Sequence, residues 1–443
     1  MTVTRSEHSS RFMPVIVCTL AAMFYLYEFI LQVSPGVMTH ELMRDLHLNA
    51  AGLGAVAAFY FYAYTPMQIP AGMLYDRYGP RLLITIALMI CASGAFFFGL
   101  TTNVALASAG RFFMGIGSAF SFIGSLLLVS RWFPPQYFAV LAGVVQLMSS
   151  VGALTGEAPL AIAVSQFGWR HTIMCIGLAG FALAIVVWLV VKDWPPGTRP
   201  APLPHTADKG EMKRLRQVLK KSQTWAVGLY SFTSWAPITV FGSLWGVPFL
   251  IASYGFSAER ASLAISMIWI GIGLGSPFIG WWSDKIGRRC LPLTIASLLG
   301  IISVATVLYI PGLPSPLLFT LLFIFGLAAS GQSLSFALVK DMNVTGVVGT
   351  AIGFNNMAVV AGGAIFQPLV GILLHMHWDG QLSNGVPVYS VTDYRSAMMV
   401  LPFCYLLGMF VSSRLIRETF CRTEFQHSAS PANLSSQKAE MTA

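Results

Sequence analysis

Two short charged turns, each set between long apolar runs, constrain the fold of this chain more than any other feature. Gly72-Met73-Leu74-Tyr75-Asp76-Arg77-Tyr78-Gly79-Pro80-Arg81 closes one such run and opens the next, and Gly280-Trp281-Trp282-Ser283-Asp284-Lys285-Ile286-Gly287-Arg288-Arg289 does the same later in the chain. Their opening glycines stand 208 positions apart, so each half of the 443 residues carries one copy. Tight polar turns between membrane-length helices, at matching places in two halves, describe a duplicated helical bundle. A hydrocarbon core about 30 Å thick needs roughly 20 apolar residues per helix. With no water in that core, each crossing segment must be a helix that satisfies its own backbone. Twelve runs qualify: 13–35, 50–71, 82–101, 105–130, 138–163 and 170–191, then 224–252, 260–282, 290–311, 316–338, 345–373 and 393–414. The expected fold is therefore all-α and integral to a membrane, with twelve transmembrane helices in two pseudo-symmetric six-helix bundles.

Composition agrees. With 56% hydrophobic and 10% charged residues and a mean hydropathy of +0.70, the chain is excluded from the soluble globular class. A net charge of +9 would suggest a nucleic-acid partner in a soluble protein. Its placement argues otherwise, because all but five of the 26 Lys and Arg fall on one side of the twelve-span topology, the exceptions being Arg44, Arg111, Arg170, Arg260 and Arg395. Cytoplasmic loops carry the positive charge of membrane proteins, so both termini are expected in the cytoplasm, with the bilayer, and no nucleic acid, as partner. Residues 1–12 form a polar N-terminus before a retained first span, without a signal-peptide cleavage pattern. The bundles occupy 13–191 and 224–414. Between them, 192–223 is a cytoplasmic linker whose basic cluster, Lys213, Arg214, Arg216, Lys220 and Lys221, is expected to lie on the membrane surface as an amphipathic helix. Residues 415–443 are expected to be a disordered tail, and the six unpaired cysteines to be free thiols.

The pattern G-x-x-x-D-R/K-x-G-x-R in both turns resembles the signature loop of the major facilitator superfamily of secondary transporters. The first copy departs at Leu82, where the family often has a second basic residue; the second keeps Arg288 and Arg289. Arg111-Phe112-Phe113-Met114-Gly115-Ile116-Gly117 resembles the superfamily's R-x-x-x-G-x-G element. Arg131-Trp132-Phe133-Pro134-Pro135 and Gly168-Trp169-Arg170 also stand where the family often has such residues. A weaker resemblance, carried by Phe24-Tyr25-Leu26-Tyr27-Glu28-Phe29, is to the phagosomal-transporter branch of intracellular bacteria, which moves amino acids or nucleosides. The family implies a secondary transporter, not an enzyme, working by alternating access around a site near the midplane. It also implies that Gly72, Asp76, Arg77, Gly79, Arg81, Gly280, Asp284, Lys285, Gly287, Arg288 and Arg289 govern the switch between states, with the two acids latching the halves and the glycines at 72 and 280 allowing close helix approach.

Ionisable groups inside spans are the next signal, since each costs at least about 2.5 to 3.5 kcal/mol at a helix centre. Glu28 lies in the first span, Arg111 in the fourth and Glu157 in the fifth. Glu28 with Arg111 is expected to form a proton-coupling or anion-binding pair, with Glu157 as second candidate and a static helix staple as the plainer alternative. Tyr25, Trp235, Gln332, Asn355, Asn356 and Gln367 are candidate solute contacts. Asn355 and Asn356 diverge by about 100° on a helix, so one of them should face the cavity. Gly152 and Gly156 match the glycine spacing of the exporter motif G-x-x-x-G-P-x-x-G-G, but Glu157 occupies its proline position. Proton-coupled uptake of a small polar or anionic metabolite (amino acid, nucleoside, organic acid or sugar phosphate) is therefore expected over drug efflux, and over a non-transporting sensor on the same fold. His375 and His377 lack the i, i+4 spacing of a helical metal pair, and no cofactor motif is present. The protein is expected to act as a monomer, in a bacterial inner membrane.

Overall fold

In the computed structural model, residues 4–134, 137–196, 215–343, 347–383 and 385–421 are described. In chain order the long helices of the first half are α1 (Phe12–Val37), α2 (Ala50–Tyr78), α3 (Pro80–Leu100), α4 (Val104–Trp132), α5 (Val140–Phe167) and α6 (Trp169–Val190). Those of the second are α7 (Ser222–Tyr254), α8 (Ala258–Ile286), α9 (Cys290–Tyr309), α10 (Ser315–Asp341), α11 (Val348–His377) and α12 (Val391–Leu415). Eleven are long and apolar enough to cross a bilayer by themselves; α2 joins them when counted with the short helix Thr39–Asp45, from which it bends by 109°. Every one overlaps an apolar run read from the sequence, because continuous hydropathy over 20 residues has no other low-energy outcome in lipid.

Five of these helices are interrupted; α10 breaks at Ser330, and α12 breaks at Met398 and Met399 and ends in a π-helical turn, Val411–Leu415. The fourth is α-helical over Val104–Ser118 and again over Ser121–Trp132. The fifth breaks between Thr155 and Ala158, where Pro159 stands in the first turn of the outer segment. After Pro237, α7 passes through a π-helical stretch, Ile238–Trp245. Such interruptions are tolerated in a bilayer when neighbouring helices re-satisfy the freed groups, and π-helical turns are frequent at functional sites.

The halves meet along α1 with α7, α2 with α11, and α5 with α8. At the end far from the signature turns this seam is tight. A Cβ added at Gly36 would lie 2.9 Å from the Ser243 carbonyl oxygen, at Gly54 2.6 Å from that of Gln367, and at Gly371 2.4 Å from that of Ala50. The Ala50 N–H also donates to Tyr389 Oη at 2.9 Å, so the α11–α12 loop closes over the start of α2. Toward the turn end, contact between halves thins to Asn356 Nδ2 donating to Gln68 Oε1 at 2.8 Å and Phe122 facing Phe336 with centroids 6.4 Å apart. Beyond these, Gly72, Gly143, Gly280, Gly349 and Gly353 have no atom within 4 Å of an added Cβ. Among the described residues the halves pack closely at the far end and touch at fewer places toward the turns.

Each signature turn has a positive-φ glycine, though the two differ in ψ, 160° at Gly79 and 28° at Gly287. Gly79 (φ +80°) and Gly287 (φ +66°) occupy the positive-φ region, where a side chain would be strained. The Arg81 N–H, at the start of α3, donates to Asp193 Oδ1 at 2.8 Å. In the second half the N–H groups of Arg289 and Cys290, at the start of α9, donate to Glu418 Oε1 and Oε2 at 2.7 and 2.9 Å. Each half thus uses an acid just beyond its sixth helix to cap its third, where negative charge meets the positive helix end.

This corrects the expected disordered tail. The first residues after α12 are docked, because Glu418 satisfies otherwise unpaired N–H groups and Thr419 Oγ1 donates to Asp341 Oδ2 at 3.0 Å. Residues 422–443 lie outside the described ones. So do Lys213 and Arg214 of the linker; residues 215–220 are helical, with Val218 buried and Arg216 and Lys220 exposed.

Candidate functional site

A small cavity lies between the halves. Tyr25, Phe29 and Gln32 reach it from α1, at the i, i+4, i+7 spacing that places residues on one helix face, and Tyr64 from α2. Phe122 and Gln146 complete the first-half wall. Across from them stand Trp235 of α7, Gln332 and Phe336 of α10, and Asn356, Val359 and Val360 of α11. Four of the candidate solute contacts, Tyr25, Trp235, Gln332 and Asn356, are therefore brought together. Two are not. Asn355 turns away into the second half, accepting from Ser231 Oγ and donating to Ser335 Oγ, both at 2.8 Å. Gln367 is taken up in the far-end seam: its Nε2 donates to the Thr239 carbonyl at 2.6 Å, while its own carbonyl accepts from Trp245 Nε1 at 3.1 Å. Adjacent residues on a helix cannot share a face, and Gln367 lies three turns beyond Asn356, which explains both placements.

Glu28 is fully buried. Tyr60 Oη donates to its Oε1 at 3.3 Å, and Ser121 Oγ donates to its Oε2. Ser121 is available because α4 restarts there after its break; the same hydroxyl lies 2.7 Å from the Ser118 carbonyl. A serine hydroxyl has one proton to give and two lone pairs to accept with. With Glu28 charged, Ser121 donates to it; with Glu28 protonated, the carboxyl donates to Ser121, which donates to Ser118. The partners are satisfied in both protonation states.

The expected direct pair between Glu28 and Arg111 is not formed. Arg111, also buried, donates through Nη1 to the Leu31 carbonyl at 2.7 Å and sits with Cζ 4.8 Å from the centroid of the Tyr60 ring. Its Nε and Nη2 are buried without a hydrogen-bond partner. Tyr60 therefore stands between the two, touching the acid with its hydroxyl and the cation with its ring face, a favourable arrangement for a desolvated guanidinium. Tyr64, on the cavity wall, stacks on Tyr60 with centroids 5.7 Å apart and planes at 14°, linking cavity to acid. Glu157 pairs with neither. It stands in the break of α5 with Oε2 buried and unpartnered.

At the turn end charged groups find partners within their own half, Asp284, one of the two expected latches, among them. The Arg81 guanidinium donates from Nε and Nη2 to the Trp188 carbonyl at 3.0 and 2.7 Å. Arg289 pairs with Asp284 at 2.7 Å and Asp341 at 3.0 Å. All are contacts within one half. Arg77 lies over Tyr78 and Lys285 over Trp281, and Arg288 is exposed. The side chain of Asp76 lies outside the described residues. Among the described residues no atom of a neighbouring helix comes within 4 Å of a Cβ added at Gly72 or Gly280, where close approach was expected from the sequence.

Sequence reasoning missed Tyr60, Tyr64, Ser121, Gln32 and Gln146. Only Gln32 carried a usable signal, one helical face with Tyr25 and Phe29. Among the described residues no group of three or more metal-binding side chains is found.

The profile of the Major Facilitator Superfamily matches residues 17–367 and 227–420. The chain is 24% identical over 365 residues to the probable galactarate/D-glucarate transporter GarP of Escherichia coli K12, covering 74% of this chain and 81% of that one. It is 25% identical over 348 residues to the hexuronate transporter of Bacillus subtilis, covering 75% and 81%, and 23% identical over 373 residues to a probable hexose phosphate transport protein of Chlamydia trachomatis, covering 76% and 80%. None of these three is described as a phagosomal transporter. Among solved structures, a bacterial homologue of the human lysosomal transporter Spinster superposes with a TM-score of 0.75 at 17% identity, over 92% of this chain and 98% of that one. Eleven or twelve candidate spanning helices among the described residues, a repeated signature turn and a polar cavity between two halves are thus found together with a profile match over most of the length, and the chain belongs to the Major Facilitator Superfamily of secondary transporters.

Proposed function

We propose that this protein takes up a small polar metabolite with protons, by alternating access, with the signature-turn end in the cytoplasm. The observation that carries the reading is the buried Glu28, held by Tyr60 and Ser121 and linked through Tyr64 to a cavity between halves that pack closely on its far side. A carboxyl whose partners serve both protonation states can take a proton when the cavity faces one compartment and release it when the cavity faces the other. One charge crossing 100 mV supplies about 2.3 kcal/mol, enough to concentrate a neutral solute roughly fiftyfold. The excess of Lys and Arg on the turn side supports its cytoplasmic placement.

The test is proton movement in proteoliposomes loaded with a pH-sensitive dye and challenged with D-glucarate, D-glucose, uridine and L-alanine. At least one solute is expected to drive proton entry. With Glu28→Gln, solute exchange should persist while proton entry and accumulation are lost. Accumulation that still follows the pH gradient in that variant removes Glu28 from the coupling.

A further inference from the structure

The cavity wall contains no Lys, Arg, His, Asp or Glu, although each of the three relatives named above is described by an anionic cargo. We infer that this site is built for an uncharged solute carrying several hydroxyl or ring-amide groups beside a flat face, the chemistry shared by sugars and nucleosides. The inference rests on the transporter reading and names its cargo class.

Three observations support it. Gln32 and Gln332 line the cavity from opposite halves at 4% and 5% exposure, and neither side chain has a hydrogen-bond partner among the described residues. A carboxamide offers two N–H donors and an acceptor oxygen, the complement of a hydroxyl or a ring amide. Left unanswered in a closed site, those groups would be costly, so the wall asks for a ligand that both gives and accepts hydrogen bonds.

The aromatic lining supplies faces rather than charges. Tyr25 and Phe122 lie with centroids 5.2 Å apart on one side, with Trp235 among the residues on the other. Such faces cover a nucleobase or the apolar face of a sugar ring without demanding a particular charge.

The cation that could have answered a carboxylate or phosphate is withdrawn. Arg111 is sequestered behind Tyr60, its Nη1 on the Leu31 carbonyl and its other nitrogens out of contact with solvent. An anion in this cavity would be a buried charge without a partner, which protein sites avoid. The buried carboxyl of Glu28 would add repulsion whenever it is ionised.

The experiment uses the full chain, purified in detergent, with thermal shift measured against D-glucarate and D-glucose 6-phosphate as anionic probes. Neutral hexoses, polyols, purine nucleosides and pyrimidine nucleosides serve as the uncharged set. At least one neutral class is expected to raise the melting temperature, separating sugar from nucleoside, while both anions leave it unchanged. Gln332→Ala should weaken the neutral ligand at least tenfold without moving the unliganded melting temperature. Stabilisation by either anion, or silence of every neutral class, overturns the inference. Counterflow in proteoliposomes separates this from the parent reading. Binding of a neutral solute with no flux defeats transport and leaves the cargo class standing; flux of D-glucarate does the reverse.

Discussion

At the residue scale, the main finding is the tyrosine between the two buried charges. Glu28 and Arg111 were legible in the sequence because a charge inside an apolar run has few reasons to be there. Tyr60 was not, because it sits in Phe59-Tyr60-Phe61-Tyr62, where an aromatic residue needs no explanation in a bilayer. Its two contacts can be separated by mutation. Tyr60→Phe removes the hydroxyl from Glu28 and keeps the ring against Arg111, and should cost about 1 kcal/mol of stability. Tyr60→Leu also removes the ring and should cost about a further 2 kcal/mol, the scale of a desolvated cation–π contact. Denaturant unfolding in detergent measures both, and equal losses would show that the ring contributes nothing beyond its hydroxyl. A second residue-scale expectation concerns Asp45, in the connection between α1 and α2. Partial burial works against its charge, but hydrogen bonds from Arg44, Trp169 and Arg170 outweigh that and hold the carboxyl down at about 2. A depressed folded-state value means that the clamp stabilises the protein fully above the ordinary Asp value of about 3.9. That contribution then fades as pH falls toward 2. Asp45→Asn should flatten the acid limb of the melting-temperature profile between roughly pH 4 and pH 2, and an unchanged limb would assign acid sensitivity to other groups.

At the scale of elements, hydropathy placed the long helices but said little about the breaks within α4, α5, α7, α10 and α12. A window long enough to find a span averages over the few residues that interrupt it. The break in α5 had a local cause in the sequence, Gly156-Glu157-Ala158-Pro159, since proline cannot continue an existing hydrogen-bond ladder. The π-helical stretch of α7 follows Pro237 but is also tied to its surroundings: Trp245 donates to the Gln367 backbone carbonyl of α11, and the Gln367 side chain donates back to the Thr239 carbonyl, in a way no single-span pattern encodes. Glycines in the same helix show how much context decides. At Gly152 a Cβ would lie 2.2 Å from the Leu26 carbonyl oxygen of α1, whereas at Gly143 nothing lies within 4 Å. Gly152→Ala must push two helices apart and should cost about 1–3 kcal/mol, while Gly143→Ala should add up to about 1 kcal/mol through helix propensity. Opposite shifts in melting temperature are the expected result; shifts of the same sign would mean that the α1–α5 contact gives way without cost.

At the scale of the whole molecule, the duplication was legible because both signature turns use a positive-φ glycine ahead of a helix start to be capped. The capping acids were not, because Asp193 and Glu418 come from segments that look like linker and tail. Nor can a sequence state which end is closely packed, since one chain encodes both arrangements and their free energies differ by only a few kcal/mol. The open glycines at the turn end bear on this. Among the described residues nothing lies within 4 Å of a Cβ added at Gly72 or Gly280, so a side chain there that extends into the same open space should change the stability of this arrangement by less than about 0.5 kcal/mol. The opposite arrangement has to bring the halves together at the same end, and there the added bulk would keep the helices apart. Gly280→Leu is therefore expected to melt at the wild-type temperature and to bind solute from the turn side, yet to lose tenfold or more in proteoliposome flux. If flux were retained along with stability, the turn end would not close at α8 during the cycle, and the seam between α5 and α8 would have to be static. If stability were lost as well, Gly280 would already be packed in this state, which its surroundings contradict. Only loss of flux at constant stability fits two rigid halves exchanging one closed end for the other around the cavity.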